Sequence, residues 1–358
     1  MDGLTDWKTE LKQSLRTASD LYDAGFISKK ELNEYRPLLD RYRFLLPRYY
    51  AGLIDKKDPE CPIRLQAIPL LKELERHANF TPDPLGDLQH QPASRITHRY
   101  QNRVLIHLTS NCSMYCRYCF RKSLLNDLSN GLFSGVPEEA IGYVRQRPEI
   151  QEVIFSGGDP LMLSDTSLEN ILQALSKCSQ LRRIRLHTRV PVTFPARITT
   201  DLVQTLSRSA YPIVVVTHFN HPKEFTPDSF EACRKLRSEG RILLLNQSVL
   251  LKDVNNKVST LESVSHRLFE FGILPYYLHH PDRAEGTRHF FLSPEEGIEI
   301  LKALREKLPG YLVPRYVIDV VGFPYKRDVE SYFFEAATGE KSTSMGPSWA
   351  FNNSFICS

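Results

Sequence analysis

The chain has 358 residues, of which 41% are hydrophobic, and a formal net charge of +4. This length and composition allow one large core with appendages. Lysine and arginine are interleaved with aspartate and glutamate, which does not indicate a nucleic-acid-binding protein. The first ten residues are polar and charged, and no apolar run reaches the roughly 18 residues of a bilayer span. We therefore expect a cytoplasmic protein with no membrane contact.

The first 80 residues are predicted to be helical and carry no motif of reactive side chains. Apolar residues recur there at helical spacing, at Leu11, Leu15, Ala18 and Leu21 and again at Leu65, Ile68, Leu71 and Leu74. Turn-forming residues follow at 81–87, and this stretch is predicted to be a linker.

Short apolar runs alternate with helical patterns from residue 103 onward. Strands are predicted at 103–108, 152–155, 183–187, 213–217, 242–249 and 274–278, and helices at about 137–147, 167–178, 200–209, 227–239, 259–271 and 294–307. Such alternation produces parallel strands joined by right-handed crossovers. The predicted fold class is α/β, a partial (β/α)6 barrel of the TIM type. We place a helical N-terminal region with its linker at 1–95, the core at 96–310 and a C-terminal segment at 311–358.

Local signals mark the ends of some of these helices. Ser259–Glu262 and Ser293–Glu296 both fit a capping box, the second with proline at the first helical position. Gly272 fits a helix stop.

The polar motifs fall where the predicted strands end. A cysteine-rich loop follows the first strand and Ser156–Pro160 the second, while Thr188–Pro191 and His218–His221 follow the third and fourth. Functional residues of (β/α) barrels lie at the carboxyl ends of the strands. The agreement between topology and motif position predicts one site at this end of the barrel.

The cysteine-rich loop has the spacing C-x3-C-x2-C, formed by Cys112, Cys116 and Cys119. Three thiolates can bind three irons of a [4Fe–4S] cluster and leave the fourth iron open. A zinc site completed by a fourth ligand is the alternative. Tyr118 beside the last cysteine and a glycine pair one unit later favour the cluster.

The other cysteines lack the spacing of metal ligands. A disulfide framework is not expected in a cytoplasmic chain. We expect Cys178 and Cys233 to be buried as small apolar residues, and we assign no role to Cys61 or Cys357.

A second motif is the run Ser156-Gly157-Gly158-Asp159-Pro160. Glycine allows the backbone to approach a ligand closely. By itself the run also fits an ordinary turn, but its position one βα unit after the cysteines favours a binding role.

These motifs resemble those of the radical S-adenosylmethionine (SAM) superfamily, and over residues 83–328 those of the lysine 2,3-aminomutase family. The segments that carry the resemblance are Asp83–Gly86, Thr97–Tyr100, Cys112–Cys116, Ser156–Asp159, Arg189–Val192, Pro195–Thr199, Thr217–Pro222 and Asn246–Leu251. The resemblance implies a [4Fe–4S] cluster, SAM and pyridoxal 5′-phosphate (PLP). It also implies a reaction that moves an α-amino group to the β-carbon of an amino acid.

The resemblance further implies roles for individual residues in cofactor binding. Lys326 would form the Schiff base with PLP, and three residues before the first strand would bind the PLP phosphate, which guanidinium groups suit. The glycine-containing run would bind SAM. These residues are Arg99, Tyr100 and Arg103 for PLP and Ser156, Gly157, Gly158 and Asp159 for SAM.

Three further residues are predicted to select the substrate by resemblance. Arg121 would bind the substrate carboxylate, and Asp282 with Asp319 would bind the distal ammonium of lysine. A buried ammonium is costly without paired carboxylates, so two aspartates favour a lysine substrate.

The sequence departs from the family pattern before Lys326. Phe323, Pro324 and Tyr325 replace glycines, and Arg327 replaces a small or apolar residue. The alternative is that Lys326 lies in a surface turn and that the arginines near residue 100 are merely solvated. The chain could then be a non-catalytic iron–sulfur or zinc protein that has lost PLP use.

The other alternative is a lysine aminomutase that serves β-lysylation of elongation factor P, which the run Cys119-Phe-Arg-Lys122 slightly favours. We expect flavodoxin or ferredoxin as the reductant. A homo-oligomer is compatible with the helical N-terminal region and the tail after residue 328. The tail at 342–358 is polar and rich in turn formers, and we expect it to be poorly ordered.

Overall fold

The computed structural model describes residues 7–338, and only the backbone of 336–338. The predicted tail at 342–358 and Cys357 lie outside the described residues.

A nine-stranded sheet and fourteen α-helices form the described part of the chain. The strands are β1 (Ile96–Tyr100), β2 (Arg103–Thr109), β3 (Glu152–Gly157), β4 (Arg183–His187), β5 (Ile213–Thr217), β6 (Ile242–Val249), β7 (Leu274–His279), β8 (Arg315–Ile318) and β9 (Arg327–Asp328). The α-helices are α1 (Trp7–Lys12), α2 (Ala18–Asp23), α3 (Leu32–Arg41), α4 (Arg48–Ala51), α5 (Pro62–Ala67), α6 (Lys122–Asn126), α7 (Pro137–Arg145), α8 (Asp165–Leu175), α9 (Val190–Thr193), α10 (Thr200–Ser207), α11 (Pro227–Ser238), α12 (Val258–Glu270), α13 (Pro294–Lys307) and α14 (Val329–Thr338). Short 3-10 helices lie at Leu71–Leu74, Leu88–His90, Leu128–Asn130, Pro160–Met162, Pro195–Arg197, Pro222–Glu224, Arg288–Phe290 and Gly310–Leu312.

The strands follow one another across the sheet in chain order. Neighbouring strands from β2 to β8 are parallel, whereas β1 and β9 pair antiparallel to the strands beside them. In the described part of the chain the sheet does not close, so the predicted α/β partial barrel is confirmed. The six predicted strands are all present, and β8 adds a seventh parallel strand.

The central strands could be predicted from the sequence because their side chains are buried and therefore apolar. Every residue of β3 is buried, as expected where helices cover one face of a parallel sheet and a lumen lies on the other. The strands β1, β8 and β9 were not predicted; β8 has four residues and β9 has two.

The helix-end predictions had mixed outcomes. The Ser293–Glu296 capping box is present at the start of α13, and Gly272, with φ +67°, follows the end of α12. The Ser259–Glu262 prediction is wrong, because α12 already begins at Val258 after Lys257, which makes no side-chain cap.

The N-terminal region is helical but more broken than its apolar spacing suggested. Leu15 lies between α1 and α2, where its backbone pairs with that of Leu46. Thr17 then caps α2 in a capping box with Asp20. No helix of residues 7–338 is long and apolar enough to cross a bilayer.

One hydrophobic cluster joins this region to the barrel. It contains Leu15, Leu21 and Tyr50 together with Ile106 of β2 and Phe155 of β3. Cys178 and Cys233 are buried, as predicted, and so is Cys61.

Candidate active site

The three cysteines lie on the loop between β2 and α6, at the carboxyl end of the sheet. Burial raises the pKa of the Cys112 thiol well above its usual value, with further contributions from Asp159, Cys119 and Cys116. Burial and Cys116 raise the pKa of Cys119 to about 11. These mutual effects place the three thiols near one another on the loop. Bound iron would oppose the rise in pKa by stabilising the thiolates, so the cysteines fit a metal cluster.

A cluster and a single ion place different demands on the positions of the cysteines. No group of three or more His, Cys, Asp or Glu side chains within residues 7–338 is placed to hold one metal ion. A structural zinc site needs four ligands around a single ion. In a [4Fe–4S] cluster each thiolate binds a different iron, so the cysteines need not converge on one point.

A buried ion network fixes the cysteine loop to the N-terminal region. Glu73 accepts hydrogen bonds from Arg117 Nε at 3.0 Å, from Arg117 Nη2 and from Lys122 Nζ at 2.7 Å. Lys122 also donates to the carbonyl of Gly286 at 3.2 Å. Burial alone would raise the pKa of Glu73, but Arg117 and Lys122 lower it to about 2. Both loop cations are thus held by one ionised carboxylate.

Arg189, at the end of β4, contacts a cysteine sulfur directly. Its Nη1 donates to Cys116 Sγ at 2.9 Å, while Nη2 donates to Gln66 Oε1 and to Glu224 Oε1, both at 2.6 Å. Its backbone N–H donates to Asp159 at 2.8 Å. Hydrogen bonds to the sulfurs tune the potential of an iron–sulfur cluster, so Arg189 is placed to influence this property.

The glycine-containing run packs against the cysteine loop itself. A Cβ atom on Gly158 would lie 2.8 Å from the carbonyl carbons of Ser110 and Asn111. The Asp159 carboxylate accepts from Thr188 Oγ1 at 2.7 Å and from the Arg189 N–H, and burial raises the pKa of Asp159 to about 6. Here the run joins β3, β4 and the cysteine loop; SAM binding by Ser156, Gly157, Gly158 and Asp159 stays a prediction.

Arg121 lies just beyond the last cysteine and is buried. Its Nε donates to Asp87 Oδ2 at 2.7 Å and its Nη1 to Ser156 Oγ at 3.3 Å. The guanidinium lies 4.4 Å from the centre of the Phe120 ring. Arg121 is therefore oriented by neighbours from three parts of the chain.

The structure brings Lys326 and both predicted substrate aspartates together. Lys326 Nζ contacts Asp319 Oδ2, and the Asp319 side chain is only 7% exposed. Burial, followed by the charge of Asp319, raises the pKa of Asp282 to about 7, although Lys326, Arg99 and Arg121 act in the opposite direction. These influences place the five groups near one another in a region of mixed charge, which we call the pocket.

The predicted phosphate residues lie beside the same pocket. Arg99 Nη1 is 3.7 Å from Asp319 Oδ1, and Arg99 Nη2 is buried without a hydrogen-bond partner in the described part of the chain. Tyr100 donates to Asp319 at 3.1 Å, and the Arg103 guanidinium lies 4.1 Å from the centre of the Tyr100 ring. A buried guanidinium nitrogen without a partner, in the same pocket as a lysine amine, fits an anionic cofactor such as PLP.

The residues that depart from the family pattern hold the Lys326 loop in place. Arg327 donates to Glu335 at 2.6 Å and stacks over the rings of Phe323 and Tyr332 at 5.0 and 5.7 Å. Charge and aromatic packing thus support the loop where the family has glycines.

Comparison with known proteins agrees with this geometry. A family model described as "4Fe-4S single cluster domain" matches residues 102–204. L-lysine 2,3-aminomutase of Escherichia coli (strain K12) is 36% identical over 326 residues, which cover 91% of this chain and 94% of that protein. The chain belongs to the lysine 2,3-aminomutase family. The family relative of Bacillus subtilis (strain 168) is 37% identical over 88% of this chain and 67% of its own length, and that of Methanococcus maripaludis is 38% identical over 90% and 75%.

Family membership makes the chain an enzyme of the isomerase class in the radical SAM superfamily. Its cofactors are a [4Fe–4S] cluster, SAM and PLP. The convergence of Cys112, Cys116 and Cys119 on one loop, and of Lys326 with Arg99 in one pocket, is consistent with these cofactors.

The sequence did not predict three residues that contact the site residues but lie far from them along the chain. Glu73, Gln66 and Asp87 belong to the N-terminal region or the predicted linker, and no local motif marks them. Arg189 lies in the predicted motif Thr188–Pro191 after the third strand, but no individual role was predicted for it.

Proposed function

We propose that this enzyme interconverts L-lysine and β-lysine by moving the amino group between Cα and Cβ. The supporting observation is the charge pattern of the pocket, with Arg121 near the cysteine loop and Asp282 with Asp319 near Lys326. Lysine has a carboxylate and a distal ammonium, which require opposite charges at separate points. The names of the relatives in Bacillus subtilis and Escherichia coli also specify lysine.

Each residue has a task in this proposal. Arg121 binds the substrate carboxylate, and Asp282 with Asp319 binds the distal ammonium. Lys326 holds PLP, whose phosphate is bound by Arg99, Tyr100 and Arg103. When bound, the cluster with SAM supplies radical chemistry and PLP carries the migrating amino group. The buried surroundings keep water away from the reacting atoms.

Lys326 also contributes to the charge balance around the substrate aspartates. In this structure its ammonium pairs with Asp319, which leaves Asp282 as the second carboxylate for the distal ammonium of lysine.

Activity of the reconstituted protein tests the proposal. The protein is loaded anaerobically with iron, sulfide and PLP, then incubated with SAM, a reductant and L-lysine. β-Lysine is the expected product, and its absence from a fully loaded protein would disprove the proposal. A preparation that binds zinc but no iron under these conditions would also contradict it.

Lys326→Ala tests the cofactor assignment separately. The variant should lose the PLP absorbance change of the parent while it retains its iron content. An unchanged absorbance would move the PLP lysine elsewhere. Lys223, which lies in a surface 3-10 helix, gives a matched control in Lys223→Ala.

The proposal also includes flavodoxin or ferredoxin as the electron donor and assembly into a homo-oligomer. A lysine aminomutase that serves β-lysylation of elongation factor P stays the alternative, and within the run from Cys119 to Lys122 the lysine makes a buried contact with Glu73.

A further inference from the structure

We infer that Asp87 is a positioning residue that orients Arg121 for the substrate carboxylate, an inference that rests on the proposed function. Asp87 lies in the stretch that the sequence suggested to be a plain linker. Its side chain is 2% exposed and accepts from Arg121 Nε at 2.7 Å. A carboxylate this deeply buried is stabilised only by its charged partners, and Arg121 is its hydrogen-bonded one.

The contacts of Arg121 determine which of its donors remain for a ligand. Asp87 engages Nε and Ser156 engages Nη1. Within the described residues, Nη2 of Arg121 donates to no acceptor. Its two N–H groups and the second N–H of Nη1 therefore remain for a carboxylate. Guanidinium groups bind carboxylates through two parallel N–H donors. Fixing Nε therefore presents the opposite edge of the guanidinium to the substrate.

Asp87 can fix Arg121 because its own backbone is fixed. The Asp83 carboxylate accepts from the backbone N–H groups of Asp87 at 2.9 Å and of Leu88 at 3.0 Å. His90 Nδ1 lies 2.7 Å from the carbonyl oxygen of Gly86. The segment is thus a closed turn, and a rigid support lowers the entropy lost when Arg121 binds a ligand.

The need for such a support follows from the pocket's mixed charge. The charge of Arg121 already lowers the pKa of Asp282. A pocket for a zwitterion must keep its cation and its carboxylates apart. Asp87 supplies Arg121 with a partner outside the region that the substrate would occupy.

Binding measurements on Asp87→Ala test this inference. Dissociation constants are measured for the anaerobically reconstituted protein with two probes, L-lysine and 1,5-diaminopentane, which lacks the carboxylate. We expect weaker binding of L-lysine by about 10- to 100-fold, the usual effect of a hydrogen bond between charged groups. Binding of 1,5-diaminopentane should change by less than about threefold. Equal losses for both probes, or no loss for L-lysine, would overturn the inference.

A double variant shows whether Asp87 acts through Arg121. In an Arg121→Gln background, Asp87→Ala should not weaken L-lysine binding further, because the interaction is already lost. Glu152→Gln is the matched control, since Glu152 is a buried carboxylate paired with Arg183 and Arg185 at the opposite end of β3. That control should leave both dissociation constants unchanged.

These measurements are independent of turnover. If the parent protein forms no β-lysine yet binds L-lysine in the expected Asp87-dependent way, the proposed reaction fails and the positioning role stands. If the parent forms β-lysine and Asp87→Ala binds L-lysine like the parent, the positioning role fails alone.

Discussion

The two substrate aspartates occupy one pocket but differ in charge state. Burial alone would raise the pKa of Asp319, but Lys326 chiefly, with help from His279 and Arg99, lowers it to about 2. Burial raises the pKa of Asp282 to about 7. Asp319 is therefore ionised across the physiological range, whereas Asp282 gains and loses its charge near neutral pH.

Binding of L-lysine should weaken as the pH falls below about 7. The ammonium of lysine binds the ionised form of Asp282, and below pH 7 the empty pocket holds this carboxyl mainly as the neutral acid. We expect the dissociation constant to rise toward tenfold per pH unit between about pH 7 and 5.5. Isothermal titration of the protein before PLP loading, the state in which Lys326 carries its free ammonium, measures this at a series of pH values.

The control for this prediction is Asp282→Asn. The variant should bind L-lysine weakly, with a dissociation constant that does not follow pH in the same range. A parent whose affinity is constant from pH 5.5 to 8 would show that Asp282 does not titrate in the empty pocket or does not contact the ammonium.

At the scale of elements, the alternation of strands and helices was enough to predict where the site would form. Parallel strands place their carboxyl ends at one edge, and the loops after β2, β3 and β4 do meet there. The sequence could not predict what holds those loops. Glu73 contacts Arg117 and Gln66 contacts Arg189, and the two members of each pair are more than 40 residues apart in the sequence. Such pairs leave no local pattern in one sequence.

The glycine pair has a structural role beside the predicted contact with a ligand. Gly158 makes room for the backbone of Ser110 and Asn111. The backbone N–H of Gly158 also donates to the Thr109 carbonyl at 2.6 Å. The pair therefore sets the position of the cysteine loop relative to β3.

Gly158→Ala should displace the cysteine loop and reduce cluster retention. The added methyl group meets backbone atoms that have no free space, and such overpacking costs about 1–3 kcal/mol. Iron content after anaerobic reconstitution and the midpoint of urea unfolding are the measurements. Both should fall below the values of the parent.

Gly142→Ala is the matched control for Gly158→Ala. Gly142 lies within α7, and a Cβ atom there meets nothing within 4 Å. Alanine favours a helix over glycine by about 1 kcal/mol, so this variant should be as stable as the parent or more stable, with normal iron content. Normal iron content in Gly158→Ala would show that the loop tolerates the methyl group.

At the scale of the whole molecule, the N-terminal region and the barrel share both apolar and polar contacts. Tyr50 donates to Glu224 at 2.6 Å, and Arg41 pairs with Glu285 at 2.5 Å. The hydrophobic cluster also crosses the predicted boundary near residue 95. The fold class and the cysteines could be predicted from sequence, but this degree of integration could not, because it depends on contacts between distant segments.

Trp7 provides a probe of this integration. Its ring contacts Phe194 at 6.5 Å between ring centres, and the buried Arg197 guanidinium lies 4.6 Å from the centre of the Trp7 ring. The sequence has two tryptophans, Trp7 and Trp349, so Trp349→Phe leaves Trp7 as the single tryptophan reporter.

In the Trp349→Phe protein, urea unfolding followed by Trp7 fluorescence should coincide with unfolding followed by far-ultraviolet circular dichroism. Fluorescence reports the contact of the first helix with the barrel, whereas circular dichroism reports the helices of the whole chain. Coincident midpoints are the mark of a single cooperative unit, and the shared core and buried ion pairs predict one. A fluorescence midpoint at clearly lower urea would mean that the N-terminal region detaches first.

Arg197→Lys is the control that tests whether Trp7 fluorescence reports this contact. The variant should weaken the contact between residue 197 and the Trp7 ring and so change the emission of the folded protein. If the emission is unchanged, Trp7 does not report the contact.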